Sequence, residues 1–116
     1  MTRLKELSRR ISEFAAARDW DQFHSPKNLS MALSVEAAEL LEHFQWLTEE
    51  ESRNLTSQKR CEVELEIADV FIYLVRLADR LEVDLLDAAN RKLDVNESNY
   101  PIDKAKGNAR KYTDFD

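Results

Sequence analysis

Residues 65–78 are apolar on nearly every side of a helix, and only Glu66, Asp69 and Arg76 interrupt them. A helix that is apolar all round has to be buried all round. In a chain of 116 residues this demands a central helix or one shared with a partner subunit, because so small a domain has little interior. The rest of the chain offers it other helices. One Gly and two Pro leave few places where a helix must stop. Leu4, Leu7, Ile11 and Phe14 recur at steps of three and four, a single helical face that predicts a first helix over residues 3–17. Residues 18–24 lose that period and read as a loop carrying Trp20 and Phe23. Ser25-Pro26 supplies a cap and a first-turn proline, so a second helix runs to about Trp46 with Leu29, Leu33, Leu40 and Phe44 inward. Thr48 and Glu51 have capping-box spacing. A third long helix covers about residues 57–81, and Asp84 with Asp87 opens a fourth that Pro101 ends. Four such helices on short connections predict an all-α antiparallel four-helix bundle. It would be one domain over residues 1–116, with a flexible basic tail from about residue 103.

Charge narrows the partners. A net charge of -6 and a pI near 5.0 oppose binding to nucleic acid and to anionic membranes, which repel an acidic surface. Phosphate ligands arriving with a divalent metal escape this argument, since the metal inverts the local charge. The longest apolar run, residues 70–75, is far too short to cross a bilayer. No apolar signal core follows Met1, so the expected location is the cytoplasm. Cys61 is the only cysteine, which excludes an intrachain disulfide and leaves a small packed side chain as its reading.

The acidic residues inside the apolar runs carry the chemistry. Glu36 and Glu39 stand three apart, on one face about one turn apart, and Glu66 with Asp69 repeats the spacing on the next long helix. Four carboxylates facing each other between packed helices would repel, and burying them unpaired is costly. A hard divalent cation resolves this, because Mg²⁺ prefers oxygen ligands and keeps positions open for phosphate and water. A ferritin-like iron site would instead need Glu-x-x-His motifs. Glu39 stands four residues before His43, and neither histidine fits that spacing. By spacing alone Trp46 and Tyr73 read as core residues, His24 as a capping or surface histidine, and Arg110 with Lys111 as part of a solvated basic terminus.

Glu36-x-x-Glu39, the 26 residues 40–65, and Glu66-x-x-Asp69 together resemble the signature of MazG-type nucleotide pyrophosphohydrolases. The likeness continues through Phe14-Ala15-Ala16, Arg18-Asp19-Trp20, Gln22-Phe23-His24, Phe44-Gln45-Trp46, Asp69-Val70, Ile72-Tyr73-Leu74-Val75, Tyr100-Pro101 and Ala109-Arg110-Lys111-Tyr112-Thr113. These stretches look like the dCTP pyrophosphatase-like subgroup, in order along almost the whole chain. The resemblance implies hydrolysis of a nucleoside triphosphate between its α- and β-phosphorus atoms, in a dimer or dimer of dimers. It implies Mg²⁺, with Mn²⁺ as a substitute, on Glu36, Glu39, Glu66 and Asp69, and one of these glutamates or Glu42 taking the proton of the attacking water. It places Lys92 and Asn96 on phosphate, with Arg110 and Lys111 as further phosphate contacts. Trp20, Phe23, His24, Trp46 and Tyr73 would surround the base, where flat side chains stack on any base and polar groups choose between bases. The subgroup has a histidine in the first helix where this chain has Ile11, which loosens any inference about the base. The competing expectations are dUTP pyrophosphatase-like specificity and a non-catalytic association module whose stability would be indifferent to Mg²⁺.

Overall fold

The structure, a computed structural model, describes residues 2–115. They form helices and no strand: α1 (Arg3–Ala17), α2 (Pro26–Glu42), α3 (Glu49–Arg53), α4 (Ser57–Arg80), α5 (Leu85–Asn99) and α6 (Ile102–Ala105), with 3₁₀ turns at Asp21–Phe23 and Tyr112–Asp114. The all-helical expectation holds, and the caps explain the boundaries. Thr2, Ser25, Thr48, Thr56 and Asp84 each accept the backbone N–H three residues on, satisfying a donor that a helix start would leave orphaned. At Thr48 the box is reciprocal, because its own N–H donates to Glu51 Oε1 at 2.8 Å. This cap also ends α2 four residues earlier than its apolar period predicts. Thr48 is extended, with ψ 165°, so the chain must leave the helix before it. The N–H groups of His43 and Phe44 accordingly donate to the carbonyls of Leu40 and Leu41, three residues back.

The loop after α1 is set by a left-handed residue. Asp19 has φ 55°, and the N–H groups of Trp20 and Asp19 donate to the carbonyls of Ala15 and Ala16 at 2.9 and 3.0 Å. This is a Schellman closure. Glu82, also at φ 55°, repeats it after α4, with Val83 N–H on Ala78 O at 2.8 Å. The first closure turns Trp20 back onto Phe14, ring centroids 5.6 Å apart and edge to face. Arg18 covers the Phe14 ring at 3.6 Å.

The chain divides into two compact units, Met1–Val83 and Asp84–Asp116. In the first, α2 and α1 pack against α4. The α2–α4 pair is antiparallel, since Glu36 on α2 meets Glu66 while His24, just before α2, meets Arg76 near the end of α4. Among the described residues the buried apolar ones are few: Ala15, Leu29, Val63, Val75 and Ala78. That core leaves much of α4 uncovered. Leu65 is 71% exposed, and Ile67, Phe71, Ile72 and Leu74 are exposed with it, so burial on all sides is not achieved by this chain alone. Among the described residues no helix is long and apolar enough to cross a membrane. In the second unit, Tyr100 at the end of α5 meets Tyr112 and Phe115 edge-on, both at 5.7 Å. From about residue 103, where a tail is expected, the chain holds most of α6 and sets Tyr112 and Phe115 against Tyr100.

Candidate active site

Glu66, Asp69, Tyr73, Arg76 and Arg80 follow one another at steps of three and four along α4, which puts them on one face. At one end of this stripe stand the carboxylates. Oxygens of Glu36, Glu39 and Glu66 all lie within 4.8 Å of one another. Glu36 Oε2 and Glu66 Oε1 are buried without a hydrogen-bond partner, and among the described residues no Lys or Arg forms an ion pair with any of the three. Burial, then contact with Glu66 and Glu39, pushes the Glu36 carboxyl up from its ordinary 4.5 to about 7. Glu66 is pushed up as well, by burial first, with Glu36 acting in the opposite sense. Orphaned buried oxygens and uncompensated like charge are what a hard divalent cation relieves, so the residues present fit one.

Asp69 is exposed and lies outside that group of three, yet its charge raises both Glu66 and Tyr73. The structure therefore draws together three of the four expected ligands and leaves the fourth at their margin. The half-buried Tyr73 phenol is pushed above its ordinary range by burial and then by the charges of Glu36, Asp69 and Glu39. It stays protonated, a hydrogen-bond donor beside the acidic cluster.

At the other end of the stripe is a residue that sequence reading passed over. Arg76, 3% exposed, donates from Nε to His24 Nδ1 at 3.1 Å, from Nη2 to Asp21 Oδ1 at 2.6 Å and from Nη1 to Asp79 Oδ2 at 3.4 Å. Arg80 adds a bond from Nε to the His24 carbonyl at 3.1 Å. Together they clamp the loop that carries Trp20, Phe23 and His24, and the Trp20 and His24 rings lie 6.2 Å apart. The available signal was an arginine inside an apolar run, since arginine is almost never fully buried unless paired.

The five expected base-lining residues do not all meet. Trp46 is 87% exposed, which overturns its reading as a core residue. It follows α2, whereas Trp20, Phe23 and His24 precede it, and the 17 residues of α2 span about 25 Å. Tyr73 is on α4 between the carboxylates and Arg76. In the second unit Lys92 and Asn96 share a face of α5, Lys92 exposed and Asn96 half-buried. Arg110 lies 5.8 Å over the Phe115 ring, and Lys111 caps the last 3₁₀ turn without a side-chain bond.

Known proteins share this chain's pattern. The profile of the MazG-like family matches residues 31–115. The dCTP pyrophosphatase 1 of Bos taurus is 45% identical over 114 residues, 97% of this chain and 68% of the relative. The Homo sapiens protein of that name is likewise 45% identical, over 97% of this chain and 67% of its own length. Among solved structures, a pyrophosphatase from Archaeoglobus fulgidus superimposes with a TM-score of 0.82 at 42% identity, over 87% of this chain and 94% of that one.

Proposed function

The chain belongs to the MazG-like family, and from that premise we propose that it hydrolyses dCTP or a closely related pyrimidine deoxynucleotide of the cytoplasmic pool to the monophosphate and pyrophosphate. The observation that carries this reading is the Glu36, Glu39 and Glu66 cluster with its two orphaned oxygens, in a chain 45% identical to dCTP pyrophosphatases. Glu36, Glu39 and Glu66 would hold Mg²⁺, with Asp69 as the fourth ligand. A divalent cation there would supply charge against the triphosphate and lower the pKa of the attacking water. Glu36, protonated in part near neutrality, gives up its proton when a cation takes its place. Tyr73 keeps its own and donates toward phosphate or water. Lys92, Asn96, Arg110 and Lys111 bind phosphate oxygens, for which charge-assisted bonds are the strong ones.

Trp20, Phe23 and His24 line the base pocket. The separation along α2 supports Trp46 reaching a pocket of another copy, and the bare apolar residues of α4 support a homo-oligomer, a dimer or dimer of dimers. The decisive assay is pyrophosphate release from a panel of deoxynucleoside and nucleoside triphosphates with Mg²⁺, beside Glu39→Gln. Release ranked highest for dCTP and lost in the variant is expected. A top rank for dUTP would move the specificity to that base, and no release from any nucleotide would falsify the activity.

A further inference from the structure

We infer that Arg76 is a positioning residue that locks His24 into the tautomer carrying its only proton on Nε2, making it an obligate donor to an acceptor atom of the substrate base. The inference rests on the reading that the loop of residues 18–24 lines the base pocket. Its geometry is independent of that reading. A guanidinium has N–H groups and no acceptor, so the 3.1 Å bond from Arg76 Nε reaches His24 Nδ1 only if Nδ1 offers a lone pair. The single proton of a neutral imidazole must then sit on Nε2. The guanidinium itself has little freedom to turn, because Asp21 and Asp79 take its two remaining nitrogens and the side chain is 3% exposed.

The charged groups facing His24 are Arg76 and Arg80 from α4 and Asp21 from its own loop. Burial first, then Arg76 and Arg80, hold the imidazole below its ordinary pKa, with Asp21 opposing, so the ring stays neutral where a free histidine would begin to charge. His24 Nε2 makes no hydrogen bond within the described residues and is not among the buried unpaired atoms. It is free to meet a ligand beside the Trp20 ring, 6.2 Å away. A fixed donor selects a base that turns a carbonyl oxygen or an unprotonated ring nitrogen toward it, as the O2 and N3 edge of cytosine does.

The test reads the imidazole nitrogens directly, by ¹⁵N-resolved NMR of the intact protein with and without dCMP, which carries the base and is not turned over. His43→Gln assigns the His24 signals, since the chain has two histidines. Expected are a protonated Nε2 and a bare Nδ1 in the wild type, with the Nε2 signal moved by dCMP. Arg76→Lys, which keeps the charge and loses the directed Nε bond, should mix the tautomers. It should also raise KM for dCTP roughly tenfold with kcat within about twofold, the effect of one lost hydrogen bond. A proton on Nδ1, or a charged ring at neutral pH, overturns the lock, and this wild-type measurement stands even if the variant fails to fold. The expected tautomer with an Nε2 signal indifferent to dCMP overturns the donor role and puts the fault in the base-pocket reading. An unchanged KM and tautomer in Arg76→Lys overturns the assignment to Arg76.

Discussion

At the scale of single residues, the acidic cluster makes a prediction whose sign is fixed. Glu36 titrates near 7 in the folded protein against an ordinary 4.5, so the folded state binds more protons than the unfolded state between those values. Its contribution to stability is then fully present below about 4.5 and lost as pH rises through about 7. Metal-free protein should melt at a higher temperature at pH 7 than at pH 8. Glu36→Gln should flatten that slope and raise the melting temperature at pH 8, since it removes a charge from an unpaired cluster. It should also abolish the stabilisation by millimolar Mg²⁺, which binding to the native state produces. Differential scanning calorimetry with and without chelator measures all three. A slope indifferent to the substitution would show that Glu36 is ionised at neutrality. Below pH 7 His24 acts oppositely, because its lowered pKa costs stability as the unfolded chain takes up protons. The carboxylates were legible in the sequence because the spacing that joins Glu36 to Glu39 is local and stands out against apolar neighbours. The partners of Arg76 were not, because His24 and Asp21 stand 52 and 55 residues away from it. No local period encodes a contact of that range.

At the scale of elements, helix starts were legible and helix ends were less so. Ser25, Thr48 and Asp84 announce themselves by residue type, and each caps as its type predicts. Thr48→Ala removes one half of a reciprocal cap and should cost about 1 kcal/mol in chemical denaturation, with little change in kcat. The Glu51 carboxyl, held below its ordinary range by the Thr48 backbone N–H and then its hydroxyl, should rise only in part in the same variant, because the backbone N–H remains. The Schellman closures are not legible in the sequence, because their usual marker is glycine and this chain places Asp19 and Glu82 at φ 55° instead. A left-handed backbone costs an L-residue roughly 1–2 kcal/mol, against which glycine loses about 0.5–1 in chain entropy. Glu82→Gly should therefore stabilise the protein, by up to about 1 kcal/mol in urea unfolding. A loss of stability would mean that the Glu82 side chain makes contacts worth more than the strain.

At the scale of the whole molecule, the periodicity of α4 predicts burial on every side, and one chain delivers it over only part of the helix. Val63, Val75 and Ala78 are covered, while Leu65, Ile67, Phe71, Ile72 and Leu74 are not. Sequence period reports how apolar a face is and cannot say whether the cover comes from the same chain. If a second copy covers it, the melting temperature should rise with protein concentration. Leu65→Asp should shift the sedimenting species toward monomer and lower pyrophosphate release with it. A variant that stays assembled and fully active would place the subunit contact elsewhere. The bare indole of Trp46 carries a consequence of its own. The chain has two tryptophans, and at 87% exposure this one emits as indole does in water, to the red, while Trp20 lies against the Phe14 ring. Shielding Trp46 from water moves the protein's own fluorescence toward the blue, and a base stacked on it dims that emission, so both events can be followed in unlabelled material.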